Sequence, residues 1–461
     1  MMDLRGRKIP VFLEEIDSFI KSENLNGTSI EKSPCMTIRG GFIQCNRCGG
    51  IKEKREFKLP NGCFYCPDCT QLGRISSNQV FLHEATPKML PALDVHMTWK
   101  GALTSEQKRC SRKVVQAVLR RETLLLHAVT GAGKTEILFK GIEAALKQGL
   151  RICIAVPRID VLLELKPRIQ DAFQSIDLCC LYGKSDEVYR LTPLILLTTH
   201  QLARFHQAFD VCIVDEVDAF PFVDNPFLEF SLQQAKKTES ALIYLSATPG
   251  RIAKKTGHRT VDRVVTLPAR FHQHSLVTPS FVFTPDWRRQ IQEKKLPKKF
   301  GHSVQQMMED GFPFLIFYPV IRDLDNLAEI LSNEFPTLRL ETVSSIDEQR
   351  IEKIEDFRIG KMDCLVTTTI LERGVTFPDI SVLVLGSDHP LFTKSVLIQI
   401  AGRSGRKLTR PDGVVRFFYD QKTKAMIESK KEIRVLNHLA RQRGLLVDSF
   451  KLASNRRNPV F

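Results

Sequence analysis

No stretch of the sequence approaches the run of about 18 apolar residues that a membrane-spanning helix needs. The first twenty residues carry Glu14, Glu15 and Asp17 where a secretory signal would keep an apolar segment. Long polar tracts and short-period repeats are also missing, which argues against a largely disordered chain. We therefore expect a folded protein that is made and kept in the cytosol.

The size and charge of the chain narrow the possibilities further. Its 461 residues exceed one hydrophobic core, because domains usually split beyond roughly 250 to 300 residues. Two or three domains are expected. The 67 Lys and Arg residues outnumber the 52 Asp and Glu residues, giving a net charge of +15. Nucleic acid is the first partner to consider for such a chain, and a solvated basic surface is the alternative.

Short apolar runs alternate with longer amphipathic stretches over most of the chain. Runs without polar alternation predict strands buried on both faces, as in a parallel sheet with crossover helices. They occur at 123–128, 151–156, 193–198, 211–214 and 241–246, and again at 313–319, 338–343, 363–368, 381–386 and 413–418. We predict an N-terminal region over 1–90, an α/β domain over 91–275, and a second α/β domain over 276–461 that ends in a basic helical tail.

A glycine-rich turn follows the first of these strands in the segment LLLHAVTGAGKTE. Backbone N–H groups at such a turn point toward phosphate, Lys134 reaches the terminal phosphates, and the Thr135 hydroxyl can ligate Mg²⁺. Ala128 stands where the pattern has its first glycine, and a small residue suffices there. ATP and Mg²⁺ are the expected ligands, and the predicted phosphate-binding positions are Ala128, Thr130, Gly131, Ala132, Gly133, Lys134 and Thr135.

Three carboxylates follow the apolar run at 211–214, in the segment CIVDEVDAFPF. Asp215 lies at the predicted carboxyl end of a buried strand, where α/β sheets bind ligands, and would hold the Mg²⁺. Glu216 would orient and deprotonate the attacking water. Three acids at a strand end more often form a solvated terminus, but the phosphate loop earlier in the chain favours the catalytic interpretation.

The segment QIAGRSGR offers Arg403 and Arg406, three residues apart. Guanidinium groups that approach a γ-phosphate from another domain stabilise the charge of the transition state. If the second α/β domain carries these arginines, hydrolysis requires the two domains to close. A basic surface turn is the alternative for this segment.

In this order, the segments resemble the core of superfamily 2 helicases, the class that includes DEAD-box proteins, over roughly 100 to 420. The resemblance implies two tandem RecA-like parallel-sheet domains. It also implies that Gln107 reads adenine and that Gly374 lies near the nucleotide. In that class the hydroxyls of Ser246 and Thr248 bond the last acid, here Asp218, and couple it to motion. The implied DNA contacts are Pro157, Arg158, Thr199, His200, Gln201, Thr368 and Thr369.

The match narrows at DEVDAFPF with its aromatic continuation, at WKGALTSEQ beginning at Trp99, and at an N-terminal four-cysteine element. These features resemble the ComFA family of competence DNA-uptake ATPases, with PriA as the nearest relative in general style. The resemblance implies an ATPase stimulated by single-stranded DNA at the inner face of the membrane. It would help draw the incoming strand through a membrane channel, with a ComFC-like phosphoribosyltransferase-fold protein as partner. Two alternatives stay open: a PriA-like duplex-unwinding helicase, and a DNA-binding scaffold with a nucleotide switch.

The cysteine-dense block contains the pairs CNRC and CPDC, which supply Cys45, Cys48, Cys66 and Cys69. Two such pairs at this separation are typical of a structural zinc ribbon, here at about 40–72. Cys63 offers a second register with Cys66, but the separation to Cys48 then falls outside the usual range. Buried cysteines without a metal are the remaining alternative.

Basic residues crowd the loop of the predicted ribbon, and two roles are open for it. The ribbon could grip the DNA backbone through residues such as Arg47, Lys52 and Arg55, or it could dock against the first motor domain. Lys54 and Lys58 belong to the same basic loop. A zinc ion closed by four protein ligands has no open position for catalysis, so either role would be structural.

Overall fold

A computed structural model describes residues 3–25, 29–84, 89–183, 185–248, 250 and 263–447. It divides into two compact units. One comprises Met1–Leu126 with Thr135–Val265, and the other His127–Lys134 with Thr266–Phe461. Both units are built around a parallel sheet, and the first also carries two small antiparallel sheets.

The two small sheets come from the N-terminal region. Its elements are β1 (Ile9–Phe12), α1 (Ile16–Ser22), β2 (Ile30–Pro34), β3 (Met36–Arg39), β4 (Phe42–Cys45), β5 (Ile51–Glu53) and β6 (Gln79–Glu84). One sheet has the order β1-β6-β2, and the other is the antiparallel meander β3-β4-β5. Cys45 ends β4, so the meander presents the first cysteine pair at its turn.

The large sheet of the first unit has seven strands in the order β13-β7-β12-β11-β8-β10-β9. Its elements are α2 (Ser105–Arg120), β7 (Thr123–Ala128), α3 (Lys134–Lys147), β8 (Ile152–Val156), α4 (Ile159–Ala172), β9 (Leu178–Leu181), β10 (Leu194–Thr198), β11 (Phe209–Val214), α5 (Pro226–Ala235), β12 (Lys236–Ser246) and β13 (Arg263–Leu267). Every residue of β8, β10 and β11 is buried, because both faces are covered. Their apolar runs therefore show no alternation.

The sheet of the second unit has six strands in the order β14-β19-β18-β15-β17-β16, and each neighbouring pair is parallel. Its elements are β14 (Ser280–Phe283), α6 (Trp287–Gln292), α7 (Lys298–Asp310), β15 (Phe314–Phe317), α8 (Leu324–Glu334), β16 (Leu340–Val343), α9 (Arg350–Arg358), β17 (Cys364–Thr367), β18 (Ser381–Leu385), α10 (Lys394–Ala401), β19 (Val415–Tyr419) and α11 (Lys424–Gln442). Its core packs around Phe300, Phe314 and Leu383.

The predicted fold class, two RecA-like parallel sheets preceded by a small cysteine ribbon, is confirmed. Each of the ten apolar runs overlaps a strand, while the short strands β9, β13 and β14 of the two large sheets were not predicted. Helix α11 lies in the predicted basic tail, whose residues from 448 onward are outside the described part. Within the described ranges, no helix combines the length and apolar character needed to cross a membrane.

Candidate functional site

The phosphate loop runs from the end of β7 to the start of α3. Gly131 and Gly133 have φ of 75° and 73°, a conformation that glycine adopts without a steric penalty. Turns of this kind leave backbone N–H groups facing one concavity at a helix N-terminus, which favours anions. Ala128 is a fully buried strand residue rather than part of the turn, which explains why no glycine is needed there.

The three carboxylates follow β11, which is separated from β7 by one strand, β12, in the sheet. The carboxylates and the phosphate loop therefore begin at nearby strand ends. The Asp215 N–H donates to the Ala155 carbonyl at 2.9 Å, and the Glu216 N–H donates to Asp215 Oδ1 at 2.8 Å. Glu216 has φ of 50°, which is uncommon for a residue with a side chain. Such residues cluster at functional sites, where the surroundings hold them in place.

Asp218 accepts hydrogen bonds from two hydroxyls, one at the last residue of β12 and one just after it. Ser246 Oγ donates to Asp218 Oδ1 at 2.6 Å, and Thr248 Oγ1 donates to Oδ2 of the same carboxylate. The Thr248 N–H in turn donates to Ser246 Oγ at 2.9 Å. These are the contacts expected from the sequence, and they join the segments after β11 and β12. That this junction couples hydrolysis to motion stays a prediction.

Gln107 lies in the first turn of α2, where it forms a capping box with Thr104. Its Oε1 accepts from the Thr104 N–H at 2.8 Å, and its own N–H donates to Thr104 Oγ1 at 3.3 Å. The residue is 4% exposed. The structure therefore gives Gln107 a role in starting the helix, while its predicted contact with adenine is untested.

In the second unit, the two predicted finger arginines contact the segment after β17. Arg403 is 1% exposed and donates through Nε to the Glu372 carbonyl at 3.0 Å. Arg406 donates to the Gly402 carbonyl at 3.1 Å and to Thr376 Oγ1 at 3.4 Å. The structure thus brings QIAGRSGR together with the segment that contains Gly374, whose φ is 78°.

A buried arginine that the sequence did not single out holds the finger loop. Arg270 donates to the carbonyls of Ser404 (2.8 Å), Gly402 (3.5 Å) and Gly405. Burial, reinforced by the charge of Arg406, lowers the pKa of Arg270 to about 9. His272 Nε2 lies 3.1 Å from the Gly405 carbonyl, and burial lowers the pKa of His272 to about 4, so the ring is neutral at pH 7. No motif pattern marks these residues.

Several predicted DNA contacts lie at one cleft of about 1020 Å³ in the first unit. Pro157, His200 and Gln201 line one side of it, and ribbon residues including Gln71 line the other. Thr199 is fully buried, and Arg158 is the residue before the first turn of α4. The remaining two candidates, Thr368 and Thr369, follow β17 in the second unit.

The four predicted zinc ligands form one buried cluster. The Sγ atoms of Cys45, Cys48, Cys66 and Cys69 all lie within 4.8 Å of one another, with 3.7 Å between Cys45 and Cys69 and 3.5 Å between Cys48 and Cys66. Four thiolates at about 2.3 Å from zinc would lie about 3.8 Å apart, so the residues fit this metal. Cys63 lies outside the cluster, which supports the register with Cys66 and Cys69 as the second pair.

Within the first unit, the ribbon packs against helix α5 of the seven-stranded-sheet domain. A Cβ atom at position 49 would lie only 2.6 Å from Phe230 Cδ2. Because Gly49 has no side chain, the Phe230 ring can cover the cysteine turn. Phe227 packs against both the ribbon core and the core beside the seven-stranded sheet. Lys8 adds a polar connection, since Nζ donates to the Asn46 carbonyl at 3.2 Å and its N–H donates to the Arg204 carbonyl. These direct contacts support the hypothesis that the ribbon docks against the first motor domain.

The DNA-gripping hypothesis loses Arg47, and a second of its residues, Lys52, is paired within the ribbon. Arg47 is 3% exposed and donates to the carbonyls of Leu72, Cys69 and Gly73, so it closes the ribbon rather than facing solvent. Lys52 is paired with Asp68 at 3.1 Å. Arg47 is thus wrong as a phosphate contact, because its guanidinium is committed to backbone oxygens.

We expect Cys66→Ser to abolish zinc binding, because a closed site needs four deprotonated ligands. The free energy of unfolding should fall by something on the order of several kcal/mol, as measured by thermal unfolding alongside the zinc content per chain. Cys63→Ser is the matched control and should keep both values. Loss of zinc in the control instead would place the second pair at Cys63 and Cys66.

Thr248→Val should destabilise the fold by about 1.5–3 kcal/mol, because it removes a hydrogen bond to a half-buried charged group. ATP turnover should fall with it, because Asp218 loses one of its two hydroxyl donors. Thr248→Ser keeps the donor and should behave like the wild type in unfolding and turnover assays. A Thr248→Val variant that keeps the stability and turnover of the wild type would contradict the role of this hydrogen bond.

Arg270→Met should lower kcat for ATP hydrolysis about tenfold or more with little change in KM, because the carbonyls of the finger loop lose the guanidinium that donates to them. Arg270→Lys should recover part of kcat. Arg443→Met, which removes an exposed arginine bonded to the Thr266 carbonyl, is the control and should leave kcat unchanged. A rise in KM without a change in kcat would contradict a positioning role.

Comparison with known proteins agrees with this architecture. Residues 108–256 match the DEAD/DEAH box helicase family, and residues 297–407 match the helicase conserved C-terminal domain. The Mycobacterium smegmatis helicase Lhr bound to ssDNA and AMP-PNP has a TM-score of 0.55 at 18% identity, covering 73% of this chain and 50% of that chain. At that identity the likeness shows the fold alone.

Two competence proteins are similar over nearly the whole chain. Competence protein ComFA of Bacillus subtilis (strain 168) is 39% identical over 459 residues, covering 95% of this chain and 98% of that protein. Competence protein ComFA of Streptococcus pneumoniae (strain ATCC BAA-255 / R6) is 41% identical over 408 residues, covering 88% of this chain and 93% of that protein. The chain therefore belongs to the ComFA family, and its two parallel-sheet domains are those of a superfamily 2 helicase-like ATPase.

Proposed function

We propose that this helicase-like motor hydrolyses ATP in response to single-stranded DNA and helps import transforming DNA during natural competence. The observation that carries the proposal is the arrangement of the first unit. One sheet carries both sets of candidates at its strand ends. The nucleotide candidates are Asp215 and Thr248, and the DNA candidates are Thr199 and Pro157. A nucleotide and a nucleic-acid strand bound at one sheet edge can influence each other through short segments.

Each step of hydrolysis has a proposed residue. Lys134 and the loop N–H groups would hold the phosphates, and Thr135 and Asp215 are the residues that would hold a Mg²⁺ ion, which would supply positive charge there. Glu216 takes the proton of the attacking water. Arg403 and Arg406 stabilise the charge that develops on the γ-phosphate.

The coupling to DNA would run through the segments that join these strands. Asp218 is tied to Ser246 and Thr248, so a shift at Glu216 reaches the segment after β12. The DNA contacts would be those at Pro157, Arg158 and 199–201, together with Thr368 and Thr369. The docked zinc ribbon would form a wall of the strand path, because it lines the same cleft as His200 and Gln201.

The proposed setting is the inner face of the cell membrane. A motor of this family would stay in the cytoplasm and reach the membrane only through partners. A ComFC-like phosphoribosyltransferase-fold protein and the DNA-uptake channel are the proposed partners. The support for both partners is membership of the ComFA family, and no contact surface on this chain is assigned to either of them.

ATP turnover measured side by side with single-stranded DNA, duplex DNA and RNA tests the function. Single-stranded DNA should stimulate most, because the proposed contacts follow one backbone. Lys134→Ala should abolish hydrolysis while sparing DNA binding, and Glu216→Gln should trap ATP. Equal turnover without nucleic acid would contradict the proposal.

Duplex opening and DNA binding, measured beside ATP turnover, separate the alternatives. Opening of a duplex with overhangs at a rate that matches ATP turnover would favour a PriA-like restart helicase. DNA-stimulated turnover in the Lys134→Ala variant would refute the role of the phosphate loop. DNA binding that changes with nucleotide but without hydrolysis in the wild type would favour the scaffold.

A further inference from the structure

A basic groove lies on the second unit between the edge strand β14 and helix α11. It has a volume of about 630 Å³, and Phe281 of β14 lies at its floor. Among the described residues that line it are Lys422, Lys430, Lys431, Arg434 and His438, and none is Asp or Glu. Its charge is therefore of one sign.

The helix that forms the groove is anchored from its other face. Met426, Ile433 and Leu436 are buried, and the Asn437 side chain bonds both the N–H (2.8 Å) and the carbonyl (2.9 Å) of Leu276. Ile427 and Val435 remain 50% and 54% exposed on the groove side. The groove is therefore a fixed surface with apolar walls and cationic groups.

The acidic residues of α11 do not neutralise this face. Glu428 lies 3.8 Å from Lys424, and Glu432 pairs with Lys394 of α10. Lys430 instead lies 4.7 Å from the centre of the Phe281 ring. Burial, together with the charges of Arg434 and Lys422, lowers the pKa of Lys430, as expected where cations crowd.

One aromatic ring, Phe281, lines the groove, and further rings of β14 and β19 lie next to it. Phe281 stacks on Phe417 with ring centres 6.0 Å apart, and Phe283, which is 49% exposed, lies 5.9 Å from Tyr419. A groove that offers cations to a backbone and aromatic faces to bases is the common design for single-stranded nucleic acids. From Lys430 to His438 the cations follow about 12 Å of helix, enough for a short stretch of strand.

We propose that this groove binds single-stranded nucleic acid as a second contact, separate from the contacts near β17. The groove lies at the β14 edge, and three strands of the sheet separate β14 from β17. The proposal rests on the proposed function, since it needs a strand that reaches the motor. Its contribution is to retain the strand on the second unit, and it takes no part in hydrolysis.

The test uses the full-length protein with Lys431→Glu and Arg434→Glu combined. Both side chains are exposed, so the fold should be kept. The control combines Lys424→Glu and Arg441→Glu, which change the charge of the same helix by the same amount outside the groove. Binding of labelled oligothymidylate is measured by fluorescence anisotropy over a potassium chloride series, with ATP turnover in parallel.

The groove variant should bind the oligonucleotide about tenfold or more weakly, and its salt slope should fall by about 0.7 for each lost phosphate contact. More DNA should be needed to stimulate turnover, while turnover without DNA and at saturating DNA stays at the wild-type value. The control should match the wild type in all of these measurements.

Identical affinity and salt slope in the groove variant and its control would overturn the proposal. A wild type that single-stranded DNA neither binds nor stimulates would instead overturn the proposed function, so the two failures are distinct. Unchanged DNA binding with a loss of binding to phosphatidylcholine and phosphatidylglycerol vesicles would show that the groove serves an anionic membrane. Unchanged DNA binding with loss of an acidic protein partner would also refute the nucleic-acid role.

Discussion

A parallel sheet covered on both faces leaves its strand ends as the place for polar chemistry, and this constraint organises the whole molecule. Strands such as β8 and β10 are buried at every residue, so a charge within them would lack water and a partner. A buried charge inside a strand needs a partner, as Asp210 in β11 has in Lys237, so most of the polar candidates lie where a strand stops. Asp215, Thr199 and Thr368 each come directly after the last residue of a strand. Within the first unit, the catalytic and strand-binding candidates share an edge for this reason.

The same constraint explains how much the sequence could predict. Uninterrupted apolar runs mark covered strands, so β7 and β11 were predicted to within two residues of their bounds. The phosphate loop and the carboxylates could be predicted because their chemistry requires fixed residue types at fixed spacing. The cysteine register could be predicted because two tight turns must bring four sulfurs around one point.

Other features depend on contacts between distant segments, which a sequence pattern does not contain. Strand β9 has only four residues, and its place at the sheet edge follows from pairing with β10. Arg270 looks like one of many basic residues until the fold surrounds it with the carbonyls of 402–405. Arg47 misled for the same reason, since only the fold shows that its guanidinium faces the ribbon's own backbone.

The docking of the ribbon on α5 has a consequence for how the protein is made. All four cysteines leave the ribosome well before Phe227 and Phe230, which cover the ribbon in the finished fold. At typical rates of synthesis the interval is on the order of ten seconds. During that time the cysteine turn at Gly49 is uncovered and its thiols are open to oxidation or to the wrong metal. Early capture of a metal by these four cysteines would therefore protect the nascent chain as well as shape the mature one.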